Sequence, residues 1–184
     1  MATRRVFVGP ILIAALFAVF SCVPWAAAAD SQVWLAARGT PANTGAADAE
    51  GPATLTILWH VELPEPATLP AVTGLEGQLF VASGSRLFSF TSDGTGLWEL
   101  DMGDCAVAMA SSPSGTVHLG LSLGHLCAVS ASGTMLWAQR VKVTGGLYAL
   151  EDGTVIAGGE EAVVATDPGG ERRWEYRVLP DCFT

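Results

Sequence analysis

The side chains of this 184-residue chain that could do chemistry are three histidines, four cysteines and a scatter of acid pairs. His118 and His125 flank one hairpin signal, Ser122-Leu123-Gly124, and imidazoles facing each other across a hairpin could hold a metal ion. No carboxylate or thiol stands at a spacing that completes a ligand set, so both read as structural, and His60 stands alone. Serines crowd the turn-like clusters, but none lies in a G-x-S-x-G elbow. The pairs Glu151-Asp152 and Glu160-Glu161 fall at hairpin tips, where solvation is the default for a carboxylate. Asp93-Gly94 and Asp152-Gly153 could open calcium loops, yet they lack the dense Asp/Asn spacing of such a site and read as plain turns. These residues make no catalytic constellation, and no metal or cofactor is assigned to any of them.

The elements that would position such groups are set by a repeat. Trp59, Trp98, Trp137 and Trp174 recur at steps of 39, 39 and 37 residues. Gly94, Gly133 and Gly170 each stand four residues before their Trp, and Gly77, Gly115 and Gly153 are 38 residues apart. A period near forty, with one Trp and several glycines per unit and almost no helical patterning, predicts stacked four-stranded blades. The second unit divides at its turn signals into Cys105–Ala110, Thr116–Leu121, His125–Ser130 and Met135–Val141, all of strand length. These runs are mostly apolar, as expected of a sheet covered on both faces. His118 stands where sister units carry Phe80 and Ile156, and Cys127 where they carry Phe88 and Val164. A large aromatic at a fixed place in a repeat reads as packing between adjacent blades; a solvent-facing binding ladder is the alternative.

With the units aligned, QLFVAS, RLFSFTSDGTGLW, HLCAVSASGTMLW and AVVATDPGGERRW resemble the repeat of the pyrroloquinoline quinone-like propeller family. WLAARGTPANTG, with Trp34, Arg38, Gly39, Asn43, Thr44 and Gly45, looks like the opening of such propellers. The likeness runs over about residues 32–184. It implies an all-β fold, a partial β-propeller of four-stranded antiparallel blades. It also implies a choice of roles, because the family includes cofactor-dependent dehydrogenases and outer-membrane assembly lipoproteins. Its dehydrogenases hold quinone beside calcium with acidic and Asn ligands, a catalytic Asp and two adjacent cysteines. No Cys-Cys pair occurs here, and the quinone site transfers to no residue of this chain.

Domain organisation follows. Residues 1–29 read as a secretory signal: Arg4 and Arg5, the apolar run Val6 to Phe20, and Ala27-Ala28-Ala29 before Asp30. An uncleaved anchor and a lipid on Cys22 are the two routes by which a membrane could be involved. Residues 30–55 form a Pro/Gly/Ala-rich linker and lead-in, and residues 56–184 the propeller repeats of an incomplete ring. Within them Thr56–Leu63 reads as an orphan outer strand, full blades span about 67–101, 105–141 and 143–178, and Asp181-Cys182-Phe183-Thr184 begins another. Three blades do not close a ring, so the remainder is expected from further sequence or from a second chain.

Charge narrows the partners. Without the signal and its two arginines, seven basic residues face 18 acids, a net charge of −11. Such a surface repels phosphate, which argues against nucleic acid. The small basic groups, Arg140 with Lys142 and Arg172 with Arg173 and Arg177, are interleaved with acids and read as solvated rims. Three cysteines remain after signal removal. Cys127 reads as a small apolar core residue, while Cys105 and Cys182 hold equivalent places two blades apart, too distant for an easy bridge. The expected protein is therefore exported, periplasmic or extracellular, and non-catalytic, a binding or scaffolding surface for a protein or envelope component. The competing expectation is the front part of a quinone-dependent dehydrogenase whose ligands lie outside this chain.

Overall fold

The computed structural model describes residues 56–177. The signal, Cys22, the lead-in with WLAARGTPANTG, and the strand expected at Asp181-Cys182 lie outside the described residues. Within 56–177 there is no α-helix. Twelve strands form three separate four-stranded antiparallel sheets, each with its strands in chain order from one edge to the other. Blade 1 holds β1 (Val72–Thr73), β2 (Leu79–Ser83), β3 (Arg86–Phe90) and β4 (Gly96–Asp101). Blade 2 holds β5 (Ala106–Ser111), β6 (Val117–Leu121), β7 (His125–Val129) and β8 (Met135–Arg140). Blade 3 holds β9 (Leu147–Ala149), β10 (Val155–Gly158), β11 (Ala162–Thr166) and β12 (Arg172–Arg177). The strands of blade 2 end within a residue of the expected limits, because the Gly-bearing turns that punctuate the sequence also terminate the ladders.

Burial explains why the runs are apolar without strict alternation. The middle sheet is covered on both sides, and every residue of β6 is buried. One apolar cluster joins blades 1 and 2 through Val72, Phe80, Leu87, Met109, Leu119 and Cys127. A second joins blades 2 and 3 through Ala110, Leu126, Val143, Leu147, Val155 and Val164. Gly120 marks how closely blades 2 and 3 approach, since a Cβ there would stand 2.7 Å from Val143 Cβ. The packing unit is thus the junction between two blades, as the hydrophobic effect demands of sheets too thin to have cores of their own.

The outer hairpin of each blade has the same irregularity. The register shifts between Ser89 and Phe90, between Ala128 and Val129, and between Ala165 and Thr166. Each bulge leads into a turn closed by the glycine amide: Gly94 donates to Thr91 O, Gly133 to Ser130 O and Gly170 to Asp167 O, at 3.0 Å in every case. The side chains of Thr91, Ser130 and Asp167 accept the amide four residues on, so Thr/Ser/Asp recurs there for its local acceptor.

One expectation needs correction. Thr56–Leu63 forms no strand: the segment makes no ladder with any of the three sheets, and Ile57 and Leu58 are more than four-fifths exposed. An extended run becomes a strand only when a neighbour offers backbone partners, and no described sheet pairs with this one. Its Trp59 side chain hydrogen-bonds to blade 1.

Candidate functional site

The recurrent site is a seat for an indole at each blade junction. Trp98 leaves β4 and donates from Nε1 to Ala131 O, 2.9 Å away in the outer turn of blade 2. Trp137 leaves β8 and donates to Pro168 O, 3.0 Å away in the outer turn of blade 3. Trp59 does the same to Ser92 O of blade 1, at 2.9 Å. The accepting carbonyl always lies two residues before the turn glycine. That glycine has positive φ, +85° at Gly94, +85° at Gly133 and +91° at Gly170. A Cβ on any of them would enter the indole of the preceding unit, at 2.5 Å from Trp59 Cδ2, 2.7 Å from Trp98 Cδ2 and 2.7 Å from Trp137 Cγ. Glycine is therefore required twice over, for backbone conformation and for close approach. Trp174 occupies the same place on β12, finds no turn among the described residues, and is 47% exposed.

Gln78 completes the seat between blades 1 and 2. Its Nε2 donates to Ser89 Oγ at 2.7 Å and to Ala131 O at 2.8 Å, so one carbonyl accepts both the indole and the amide. Sequence reasoning passed over Gln78 because the sister units carry threonine there.

The titratable groups are dispersed. His118 lies opposite Ala128 and His125 opposite Leu121, so the two imidazoles are three places out of register and do not face each other. His118 is 2% exposed, packs 5.8 Å from the Trp137 ring, and both its ring nitrogens lack a partner. Burial lowers its pKa from 6.5 to about 4, which keeps it neutral near pH 7. It fills the place that Phe80 fills against Trp98 in blade 1. Burial likewise raises the Cys127 thiol to about 11, whereas Cys105 is exposed.

The exposed carboxylates hold turns. Asp104 accepts Ser122 Oγ at 2.5 Å and the Leu123 amide at 2.7 Å, pinning the tip of the β6–β7 hairpin; these bonds lower its pKa. Asp152 accepts the Thr154 amide and hydroxyl and then Arg173, and is lowered in the same way. A groove of about 340 Å³ opens between the outer ends of blades 2 and 3. There Lys142 pairs with Glu160 at 2.8 Å, and Glu175 pairs with Arg177 at 2.9 Å and with Arg172. The groove is thus of mixed charge, and its ion pairs are exposed and screened by solvent, so they contribute little to stability.

Among the described residues no group of three His, Cys, Asp or Glu could hold a metal ion. Among the described residues the donor set does not fit a quinone–calcium centre, since no acidic cluster forms and the two cysteines, Cys105 and Cys127, are not adjacent.

Sheet order, blade junctions and indole seats define the class: a partial β-propeller of four-stranded blades. No protein-family model matches the chain, and no curated protein matches it by sequence. Solved structures do. BamB from Moraxella catarrhalis is similar over 67% of this chain and 40% of its own, at 18% identity and a TM-score of 0.61. The quinohemoprotein alcohol dehydrogenase ADHIIG from Pseudomonas putida HK5 is similar over 81% of this chain and 27% of its own, at 16% identity and a TM-score of 0.62. BBS1N, solved in complex with ARL6DN, is similar over 66% and 44%, at 17% identity and a TM-score of 0.55. The first two are propellers of the pyrroloquinoline quinone-like kind. The chain spans less than half the length of each, and the likeness is one of fold.

Proposed function

We propose that this chain is an exported, non-catalytic propeller scaffold that offers blade faces and rims to a protein or envelope partner, as the N-terminal part of a longer ring. One observation carries the reading: the stack is built to continue. Trp59 brings a segment without a sheet of its own onto blade 1, and Trp174 extends from blade 3 with its indole unseated. The chemical groups support a scaffold as well, since Asp104 and Asp152 are committed to turns and His118 to a junction. The signal-like residues 1–29 support export. The likeness to BBS1N, solved with a bound partner, supports a binding role for such blades.

The test places a photo-crosslinking residue at Leu123, at the exposed tip of the β6–β7 hairpin, and at Val155, inside a junction. A scaffold that binds through its rim gives one adduct of defined mass from Leu123 and none from Val155; equal labelling at both sites contradicts it. N-terminal sequencing of the exported product should begin at Asp30, and an unprocessed product in the cytoplasm refutes the address. The dehydrogenase reading is separated by supplying the complete gene product with quinone and calcium in a dye-linked assay. Turnover there would replace the scaffold reading.

A further inference from the structure

The groove between blades 2 and 3 carries a charge pattern that the repeat does not produce elsewhere. Arg140, Lys142, Arg172 and Arg177 all line it, four of the six basic residues among the described residues, although they belong to two groups far apart in the sequence. At the junction of blades 1 and 2 the same positions, counted from each Trp, hold Asp101, Gly103, Met135 and Arg140. One cation and one acid stand there in place of four cations, so the cluster is no by-product of the repeat.

The groove also holds these side chains ready. Glu175 bridges two of them: its Oε1 accepts Arg177 Nε at 2.9 Å, and its Oε2 accepts a terminal N–H of Arg172. Their other guanidinium N–H groups stay uncommitted among the described residues, and Arg177 is 82% exposed. Lys142 is paired with Glu160, whereas Arg140 is exposed and pairs with no carboxylate among the described residues. With Glu161 as the third acid of the lining, four cations face three carboxylates and one positive charge is left over. The uncharged lining is Gly159, Ala162 and the buried Val141 and Val164.

We propose that this groove binds a small organic monoanion, a carboxylate on a short apolar body, with Arg140 as its main ion-pair partner. One surplus positive charge matches one negative charge, and a second negative charge would meet Glu160, Glu161 or Glu175. A planar carboxylate suits the fork of a guanidinium, and an aliphatic body covers Val141 and Val164. A volume of about 340 Å³ suits a ligand of few atoms. The site is independent of the scaffold reading, since a rim groove for a small anion neither requires nor excludes a protein partner.

Hexanoate is the probe, titrated at low salt into the full chain and followed through the backbone amide shifts of Val141, Glu161 and Val164. Saturable shifts are expected there and not at Arg86, on blade 1. Hexanamide, without the charge, and succinate, with a second one, should each bind more weakly by roughly fivefold or more. Arg140→Gln should weaken hexanoate by a similar factor, Glu161→Gln should tighten it by about twofold, and Arg86→Gln should leave it unchanged. Arg140 is exposed and unpaired, so the variant tests binding and not folding. Absence of a saturable shift with hexanoate, Arg140→Gln binding like wild type, or tighter binding of succinate or inorganic phosphate overturns the proposal. In any of these failures the crosslinking at Leu123 still decides the scaffold reading on its own.

Discussion

Replacing His118 with leucine should stabilise the protein and remove a defined part of its acid sensitivity. The imidazole is buried against Trp137 with both nitrogens unpartnered. A buried polar group without a partner costs about 1–3 kcal/mol, and leucine fills a similar volume with no such group. A gain of about 1–2 kcal/mol at pH 7.5 follows, since some misfit of shape offsets it. The pH dependence is the sharper part. Folding lowers the His118 pKa from 6.5 to about 4, so the unfolded chain binds the proton more readily within that window. Stability is fully present above pH 6.5 and falls as pH drops towards 4, by on the order of 3 kcal/mol from this residue alone. Urea titrations of wild type and His118→Leu at several pH values between 4 and 8 give the difference directly, and effects of the carboxylates cancel in it. The gap between the two proteins should be constant above pH 7 and widen steadily below 6.5. Parallel profiles would refute the argument, because they would mean that the imidazole reaches water or a hydrogen-bond partner when protonated.

Other outcomes follow from the same geometry. Gly133→Ala should cost at least 2 kcal/mol, a rough figure for strain at positive φ together with overpacking against Trp98, and equilibrium unfolding measures it. Trp98→Phe should cost about 1 kcal/mol for the lost bond to Ala131 O and the smaller ring, whereas Trp98→Ala should cost about 3–5 kcal/mol for the cavity. In the native protein a thiol-specific reagent should modify Cys105 well before Cys127, whose thiol is buried and raised to about 11; equal rates would mean that the blade 1–2 junction opens readily. Asp104→Ala should speed amide exchange at Leu123 with little change at Leu119, because the carboxylate holds only the hairpin tip.

Much of the architecture was legible in the sequence because each blade repeats the same three demands. A glycine must turn the outer hairpin, a tryptophan must follow it by four residues, and the runs between turns must be apolar on both faces. The partner of each indole was not legible. Periodicity places Trp98 on a strand but cannot tell which neighbouring sheet it meets, and only the structure directs it forward onto Ala131 and Gly133. The His118–His125 pairing failed for a simpler reason. The tight β6–β7 hairpin sets Leu121 opposite His125, and that register carries His118 to Ala128. Thr56–Leu63 has the composition of a strand but lacks a ladder, since pairing depends on a neighbouring backbone and not on the segment itself. Gln78 went unread because its role, a second donor to Ala131 O, belongs to one junction and leaves no periodic trace.

The central claim is that each indole locks its own unit to the outer turn of the next blade. Hydrogen exchange of the indole N–H groups, assigned by single Trp→Phe variants, tests it most directly. Trp98 and Trp137 should exchange slowly, Trp59 at an intermediate rate and Trp174 fastest. Four indoles exchanging at one common rate, or Trp174 the slowest among them, would contradict the account.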